Sequence, residues 1–514
     1  MFLPIDMLPL LILGSLLALL FVCFRRYRFS NLPPGPSGCL FGCQWNRQYG
    51  PVVSFRLGTK RVIVLGTIQA ATDLLVVRGN IYSGRPRSII THEILSGGMR
   101  GIGMSDGPQY RKWKTLMQWG LSNTAALNYQ RLQSIESFLL LRDLLKDEDP
   151  LQYKNRLRRF AISIVCCVAY GRRIKTLDDD IVVNNVKTAA CERYERLLSW
   201  ILLLTSCLSV PGKFLVDSWP ILLYLPKFLQ WFRWEPEKRR VVDTEIYLSL
   251  LNDVKRQTQD GTAHPSMTTH GLEKQQELGL TDVETAYALS APWAAGTGTS
   301  MAASTKDGIR FTVAMLHYPA VMKKAQAEID SVIGPERMPD FKDFDALPYI
   351  QAVIKETMRW RCIAPIAVPH AVMSDDVYED MFIPKGSTVY ANIYAMTKDE
   401  AIFPKAEEFI PERFLNTSDR KMINFTLPFG FGRRQCPGTY VAWQSIFISV
   451  VRMLWAFDIM PPVDEKGNKV LPSIDSFTSG LTTRPEPFKC YFEQAKDIII
   501  QEADRAEIDA LAWK

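Results

Sequence analysis

Phe429-Gly430-Phe431-Gly432-Arg433-Arg434-Gln435-Cys436-Pro437-Gly438 is the stretch whose reading decides the fold. It is a glycine-bearing loop that delivers one thiol to the start of Tyr440–Phe457, a run apolar almost all round and therefore expected as a buried helix. The amino end of a helix offers free N–H groups and a positive dipole, which favour thiolate over thiol. Gly432 permits a tight turn there, and Gly438 permits close approach of a flat ligand. Arg434 supplies a fixed cation for a carboxylate. The loop therefore reads as a turn that presents one thiol beside a fixed cation, open to a flat ligand.

Outward from this loop, helical patterns dominate. Thr281-Asp282-Val283-Glu284 is a capping box, and the helix it opens is expected to run to about His317. Pro319 suits the first position of the next helix, which stops at Gly334. Leu347–Arg361 is another helical stretch. β-branched runs over Val52–Leu65, around Gly58-Thr59, predict a small hairpin, and Pro369–Tyr394 predicts a second small sheet. Gln257–Gly271 reads as a polar loop. Ser199–Trp234, rich in Trp, Leu and Pro, reads either as core or as a surface that dips into a membrane.

At the amino end, Met7–Phe24 is apolar throughout and is followed at once by Arg25, Arg26 and Arg28. Its length reaches the lower end of what spans a bilayer, and the basic flank predicts a single anchor with the main body on the cytosolic side. Leu32-Pro33-Pro34-Gly35-Pro36 then forbids helix continuation and makes a stiff hinge. The expected organisation is an anchor over 1–24, a basic and proline-rich hinge over 25–45, a catalytic body over 46–495 and a tail over 496–514.

Composition excludes much else. The 514 residues are 47% hydrophobic and 22% charged, ordinary globular usage that rules out disorder or a coiled coil as the main architecture. The net charge of +7 is not gathered into the basic blocks of a nucleic-acid binder. Ten cysteines make no disulfide scaffold in a chain this long, and the five histidines lack the spacing of a helical zinc site. No G-x-G-x-x-G follows a strand, which disfavours a nicotinamide dehydrogenase.

The Cys436 loop resembles the haem-ligand loop of the cytochrome P-450 family, F-x-x-G-x-R-x-C-x-G, with Phe429, Gly432, Arg434, Cys436 and Gly438 at its five specified positions. The resemblance implies a mainly α fold with small β-sheets behind the transmembrane helix. It implies haem b as cofactor, with Cys436 as axial iron ligand. Glu356-Thr357-Met358-Arg359 and Pro411-Glu412-Arg413-Phe414 are similar to the family's buried structural triad, here Glu356, Arg359 and Arg413. Val368-Pro369-His370 resembles the segment whose histidine contacts a haem propionate. Ala295-Gly296-Thr297-Gly298-Thr299-Ser300 resembles the oxygen-side helix motif, which casts Thr299 as the catalytic hydroxyl.

Three departures stand out. Gly298 occupies the position of the usual acidic residue of the proton relay. Where the family commonly has Trp-x-x-x-Arg against a propionate, this chain offers Tyr110 and Lys114. The segment between Pro36 and Tyr49-Gly50 is shorter than the family's.

The resemblance implies a monooxygenase of the fungal microsomal type. It would act in the endoplasmic reticulum membrane, with electrons from NADPH delivered by a reductase and cytochrome b5 as a further candidate donor. Lys112, Lys114 and Arg433 are the basic residues expected to face that reductase. The expected pocket segments are Thr91–Met104, Ser199–Trp234, Trp293–Ser300 and Ser479–Thr483. Their apolar content points to a lipophilic small molecule such as a terpenoid or polyketide. An isomerase or dehydratase that needs no external electrons is the alternative kept open by Gly298, and a non-catalytic haem sensor is a third class.

Overall fold

The computed structural model describes residues 45–57, 60–183, 214–300, 306–415, 417–478 and 482–494. The expected anchor and the proline hinge lie outside these residues, as do Ser199–Lys213, the hairpin tip Gly58-Thr59 and Ser479–Leu481. Among the described residues no helix is long and apolar enough to cross a membrane.

Helices build most of the body: α1 (Pro108–Leu121), α2 (Gln130–Lys146), α3 (Tyr153–Tyr170), α4 (Trp231–Gln259), α5 (Met267–Lys274), α6 (Asp282–Leu289), α7 (Ala291–Ser300), α8 (Lys306–His317), α9 (Pro319–Val332), α10 (Pro348–Trp360) and α11 (Thr439–Ala456). The capping box forms as expected at α6, where Glu284 N–H donates to Thr281 Oγ1 and Thr281 N–H donates to Glu284 Oε2. The single helix expected from there to His317 is instead broken at Ser290, beside Pro292, which lacks the N–H that would continue the ladder. Pro319 does open α9, and Gly334 at φ +78° follows its end. α10 has no capping side chain at Leu347; the Glu328 carboxylate takes the Tyr349 and Ile350 N–H groups instead, at 2.8 and 3.0 Å.

The expected polar loop at Gln257–Gly271 is half wrong. α4 runs to Gln259, and α5 begins at Met267 because Ser266 and Thr269 cap each other reciprocally. Only the stretch between, with Gly261 at φ +68°, is irregular.

The two predicted segments share one four-stranded sheet, and the second also forms a two-stranded sheet of its own. β1 (Val52–Leu57) pairs antiparallel with β2 (Lys60–Leu65). Farther along the chain come β3 (His370–Ala371), β4 (Asp376–Tyr378), β5 (Met381–Ile383) and β6 (Thr388–Ala391). β2 pairs parallel with β6, Val62 opposite Thr388, and β6 pairs antiparallel with β3, giving the order β1-β2-β6-β3. β4 and β5 form a hairpin whose turn residues Glu379 and Asp380 both have positive φ. β7 (Phe457–Met460) and β8 (Tyr491–Gln494) close a third, small sheet.

α11 is the pillar that carries the Cys436 loop. From Ser445 to Ala456 each of its side chains is buried, and a fully buried Ile, Val, Phe or Met contributes about 1.5–3 kcal/mol. Two polar ties fix it to α2: Gln133 reaches Val441 O at 3.1 Å, and Arg452 reaches Ser134 O at 2.8 Å.

Candidate cofactor site

The Cys436 loop is closed on itself before α11 begins. Cys436 N–H donates to Phe429 O at 2.9 Å, and Gln435 N–H donates to Gly432 O at 3.1 Å. Gly432 sits at φ +56°, and a Cβ there would lie 2.1 Å from Leu75 O, so the turn and the close approach both require glycine. Gly438 meets only the Cys436 sulfur, 3.9 Å from where its Cβ would be, and so keeps the side of the loop beside the thiol clear. Thr439 Oγ1 donates to Cys436 O at 2.7 Å, starting α11.

Cys436 is the exposed thiol among the described free cysteines; Cys166, Cys167, Cys362 and Cys490 are buried. Surrounding protein raises its pKa, and the Gly438 N–H and Thr439 hydroxyl oppose the rise. The thiol is thus surface-accessible while flanked by protein.

Beside it stands a cradle of cations held by backbone carbonyls. Arg434 Nε donates to Ser83 O at 2.7 Å and its Nη2 to Met104 O at 2.8 Å, while the guanidinium lies 3.7 Å above the Tyr110 ring. Tyr110 in turn stacks on Trp113 and donates its hydroxyl to Arg433 O at 3.3 Å. Arg85 donates to Val368 O and Pro369 O, and its Nε is buried without a hydrogen-bond partner. His370 is buried, with Nδ1 2.8 Å from Tyr82 O.

Neither Arg85 nor Arg434 pairs with a carboxylate among the described residues. Burial and mutual repulsion follow: the Arg85 pKa falls to about 10, through desolvation and then Arg434, and that of His370 to about 4, through desolvation and then Arg85. Such a cluster lacks its anion, and a bis-carboxylate porphyrin supplies one. The residues present therefore fit a haem.

Arg85 escaped the sequence reading. It lies 284 residues from Pro369, and nothing in the spacing of Gly84-Arg85-Pro86 marks it. Lys114 is half-buried and makes no hydrogen bond or ion pair among the described residues. Lys112 donates to Gly279 O at 3.2 Å, and Arg433 is exposed, 3.9 Å from Asp106.

The resemblance set Glu356, Arg359 and Arg413 together, and the structure does so too. Arg359 binds Glu356 in a fork of 2.6 and 2.8 Å, and Arg413 Nε reaches the same carboxylate at 3.2 Å. Arg359 also donates to the carbonyls of Thr397, Ala406 and Glu408, so a fully buried guanidinium is fully engaged. Thr299 and Gly298 lie in α7, and their side chains are outside what the structure describes. Pro292 and the buried Trp293 open the same helix, which packs on α3.

A thiol-bearing loop at the head of a buried helix, a carboxylate-seeking cradle beside it and this helix order define a haem-thiolate enzyme class. A cytochrome P450 family profile matches residues 41–492, and the chain belongs to that family. Relatives include cytochrome P450 monooxygenase 58 of Postia placenta, 36% identical with 93% of this chain and 92% of that protein covered. A cytochrome P450 monooxygenase of Armillaria gallica is 32% identical, with 96% and 97% covered. Among solved structures, a zebra fish cytochrome P450 with progesterone superposes at a TM-score of 0.70 and 21% identity, covering 88% of this chain and 98% of that one, a likeness of fold. The protein is a cytochrome P450 monooxygenase.

Proposed function

We propose that Cys436 is the axial ligand of haem b and that the enzyme oxidises a lipophilic small molecule with electrons from NADPH relayed by a membrane reductase. The observation that carries this reading is, among the described residues, the pairing of one exposed thiol at the head of α11 with two arginines held by backbone carbonyls and by no carboxylate. When bound, a thiolate-ligated haem would supply dioxygen activation.

The chain's residues do the rest. Arg434, Arg85 and His370 would hold the two propionates, with Tyr110 stacked against the Arg434 guanidinium and Lys114 as a further cation. Phe429, Gly432 and Gly438 shape the loop that presents the thiol, and would leave room for the haem beside it. Thr299, on α7, would hold a proton-bearing water chain for the reaction. Gly298 cannot act as acid, so protons come from solvent or another side chain. Lys112, Lys114 and Arg433 line the face we assign to the reductase.

Carbon monoxide difference spectroscopy of the reduced protein tests the assignment. Wild type gives the thiolate-type band and Cys436→Ala abolishes it; a band that survives the substitution overturns it. Turnover that stops without reductase and NADPH supports oxygen insertion over isomerisation, the reading its monooxygenase relatives also support.

The body is also proposed to rest on the membrane of the endoplasmic reticulum. Pro220 and Pro226 break residues 214–230, within the described part of Ser199–Trp234, into short turns, and these with the start of α4 leave Trp219, Ile221, Tyr224, Phe228, Leu229, Trp231 and Trp234 exposed. Tyr224 is 89% and Phe228 74% exposed, which disposes of the core reading for the outer side of this segment. Its inner side, Val216, Leu222, Leu223 and Phe232, packs inward. Aromatic side chains beside Lys227 and Arg233 suit a lipid headgroup layer.

A further inference from the structure

β1 and β2 carry a group of like charges at their hairpin end. Their register sets Arg56 directly opposite Arg61, and Leu57 opposite Lys60. Inward of these pairs the strands are apolar, and Val52, Val53, Phe55, Val62 and Ile63 are all buried. A slip of one residue would turn that apolar set around, so the core fixes the register and the register forces the two arginines together.

Cross-strand partners share a face, with Cβ atoms about 4.5–5.5 Å apart, and like charges there are destabilising. Arg56 is exposed and Arg61 half-buried; burial, then Arg56, lowers the Arg61 pKa. Neither arginine meets a carboxylate among the described residues. Lys60 has no carboxylate partner there either, and its Nζ donates to Arg87 O at 3.5 Å. Arg87 itself is neutralised by Glu93 at 2.5 Å. The fold thus supplies an anion to Arg87 and none to the hairpin cations next to it.

This unneutralised group adjoins the aromatic surface. Arg87 lies within electrostatic range of the exposed Tyr224, and Lys60 within range of Asp217 on the Leu215–Ser218 turn. Exposed aromatics beside free cations suit the edge of a bilayer, where rings sit at headgroup level and cations meet phosphate. Charge then selects among headgroups. A phosphodiester brings a single negative charge, whereas a phosphomonoester brings about 1.5–2 and three acceptor oxygens. Two opposed guanidiniums, each able to grip oxygens in a fork, match the monoester.

We propose that Arg56 and Arg61, with Lys60 beside them, form a headgroup site for a membrane lipid that ends in a phosphomonoester. The proposal rests on the reading that the body lies on a membrane through residues 219–234. The bound headgroup offsets the repulsion between the two arginines and fixes the hairpin against the bilayer surface.

Photo-crosslinking tests it, with the full chain in phosphatidylcholine vesicles doped equally with photoactivatable phosphatidic acid or photoactivatable phosphatidylserine. Phosphatidic acid is expected to label β1 and β2 about fivefold more than phosphatidylserine, the worth of one further charge pair at a membrane surface. Both lipids label residues 219–234 alike. Arg56→Gln with Arg61→Gln brings the two lipids level on the hairpin and leaves the labelling of 219–234 in place. Arg56→Lys with Arg61→Lys, which keeps the charge and loses the fork, falls between and serves where the glutamine pair does not fold. Equal labelling of the wild-type hairpin by both lipids, or a preference that survives the glutamine pair, overturns the site. Inorganic phosphate that strips the hairpin labelling when present at the lipid's own concentration overturns the lipid assignment in favour of a free-phosphate site. Absence of labelling at 219–234 with every lipid fails the membrane reading, and the site falls with it.

Discussion

At the scale of single residues, the two glycines of the Cys436 loop separate conformational strain from collision. Gly430 has φ +81° and open space where a Cβ would go, whereas Gly432 has φ +56° and the Leu75 carbonyl 2.1 Å away. Gly430→Ala therefore costs the strain alone, about 1–3 kcal/mol. Gly432→Ala adds a collision with backbone and loses more, which thermal melts of the haem-loaded variants read directly. His370 allows a pH test. Its folded pKa, about 4, lies below the unfolded value of 6.5, so the unfolded chain binds the extra proton between those limits. Stability then rises with pH across that window and is lost as pH falls through it, by roughly 3 kcal/mol in full. Urea titrations at pH 7 and 4.5 show the difference in haem-free protein, and His370→Gln removes it. Carboxylates brought against the imidazole shrink the window, so a smaller loss in haem-loaded protein places His370 beside a propionate.

At the scale of elements, the Glu356 cluster ties α10 to the turn at Pro411–Phe414 and to the strand-following carbonyls of Thr397 and Ala406. Glu356→Ala leaves Arg359 buried and unpaired, which costs about 3–5 kcal/mol. Urea denaturation of the variant is expected to show that loss, with little accumulation of haem-loaded protein. The ends of these elements were legible where chemistry is local. The Thr281 box, Pro319 and Gly334 each set a boundary from within a few residues. What escaped the reading depended on partners far along the chain. The reciprocal Ser266–Thr269 cap hid inside a polar stretch that looked like loop. The break at Ser290 needed Pro292 to outweigh an otherwise continuous helical pattern. The joining of β2 to β6 needed a parallel pairing that no hairpin rule reveals. The site divides the same way: the Cys436 loop announced itself because its ligand, turns and cation are contiguous, whereas Arg85 became visible only beside Arg434 and the Pro369 carbonyl.

At the scale of the whole molecule, a basic flank at Arg25–Arg28 and an aromatic patch at Trp219–Trp234 give two proposed attachments to one membrane, and they differ in kind. A spanning helix is effectively irreversible, so it masks any weaker contact while present. The patch becomes measurable once residues 1–24 are removed. The shortened protein is expected to keep a reversible affinity for vesicles containing anionic lipid, weakening with salt because the net charge of +7 contributes. Phe228→Glu with Tyr224→Glu abolishes that affinity while leaving the carbon monoxide spectrum intact, since both side chains are exposed. Flotation of the two proteins with vesicles at low and high salt checks this; equal flotation of both overturns the patch. Orientation has its own reporter. Asn424-Phe425-Thr426 is an N-glycosylation acceptor sequence with Asn424 exposed, so a body facing the cytosol leaves it bare. Expressed in full with an acceptor sequence on an amino-terminal extension, the protein is expected to gain sugar on the extension and none at Asn424. Sugar at Asn424 would place the body in the lumen, away from the reductase that the proposed chemistry requires.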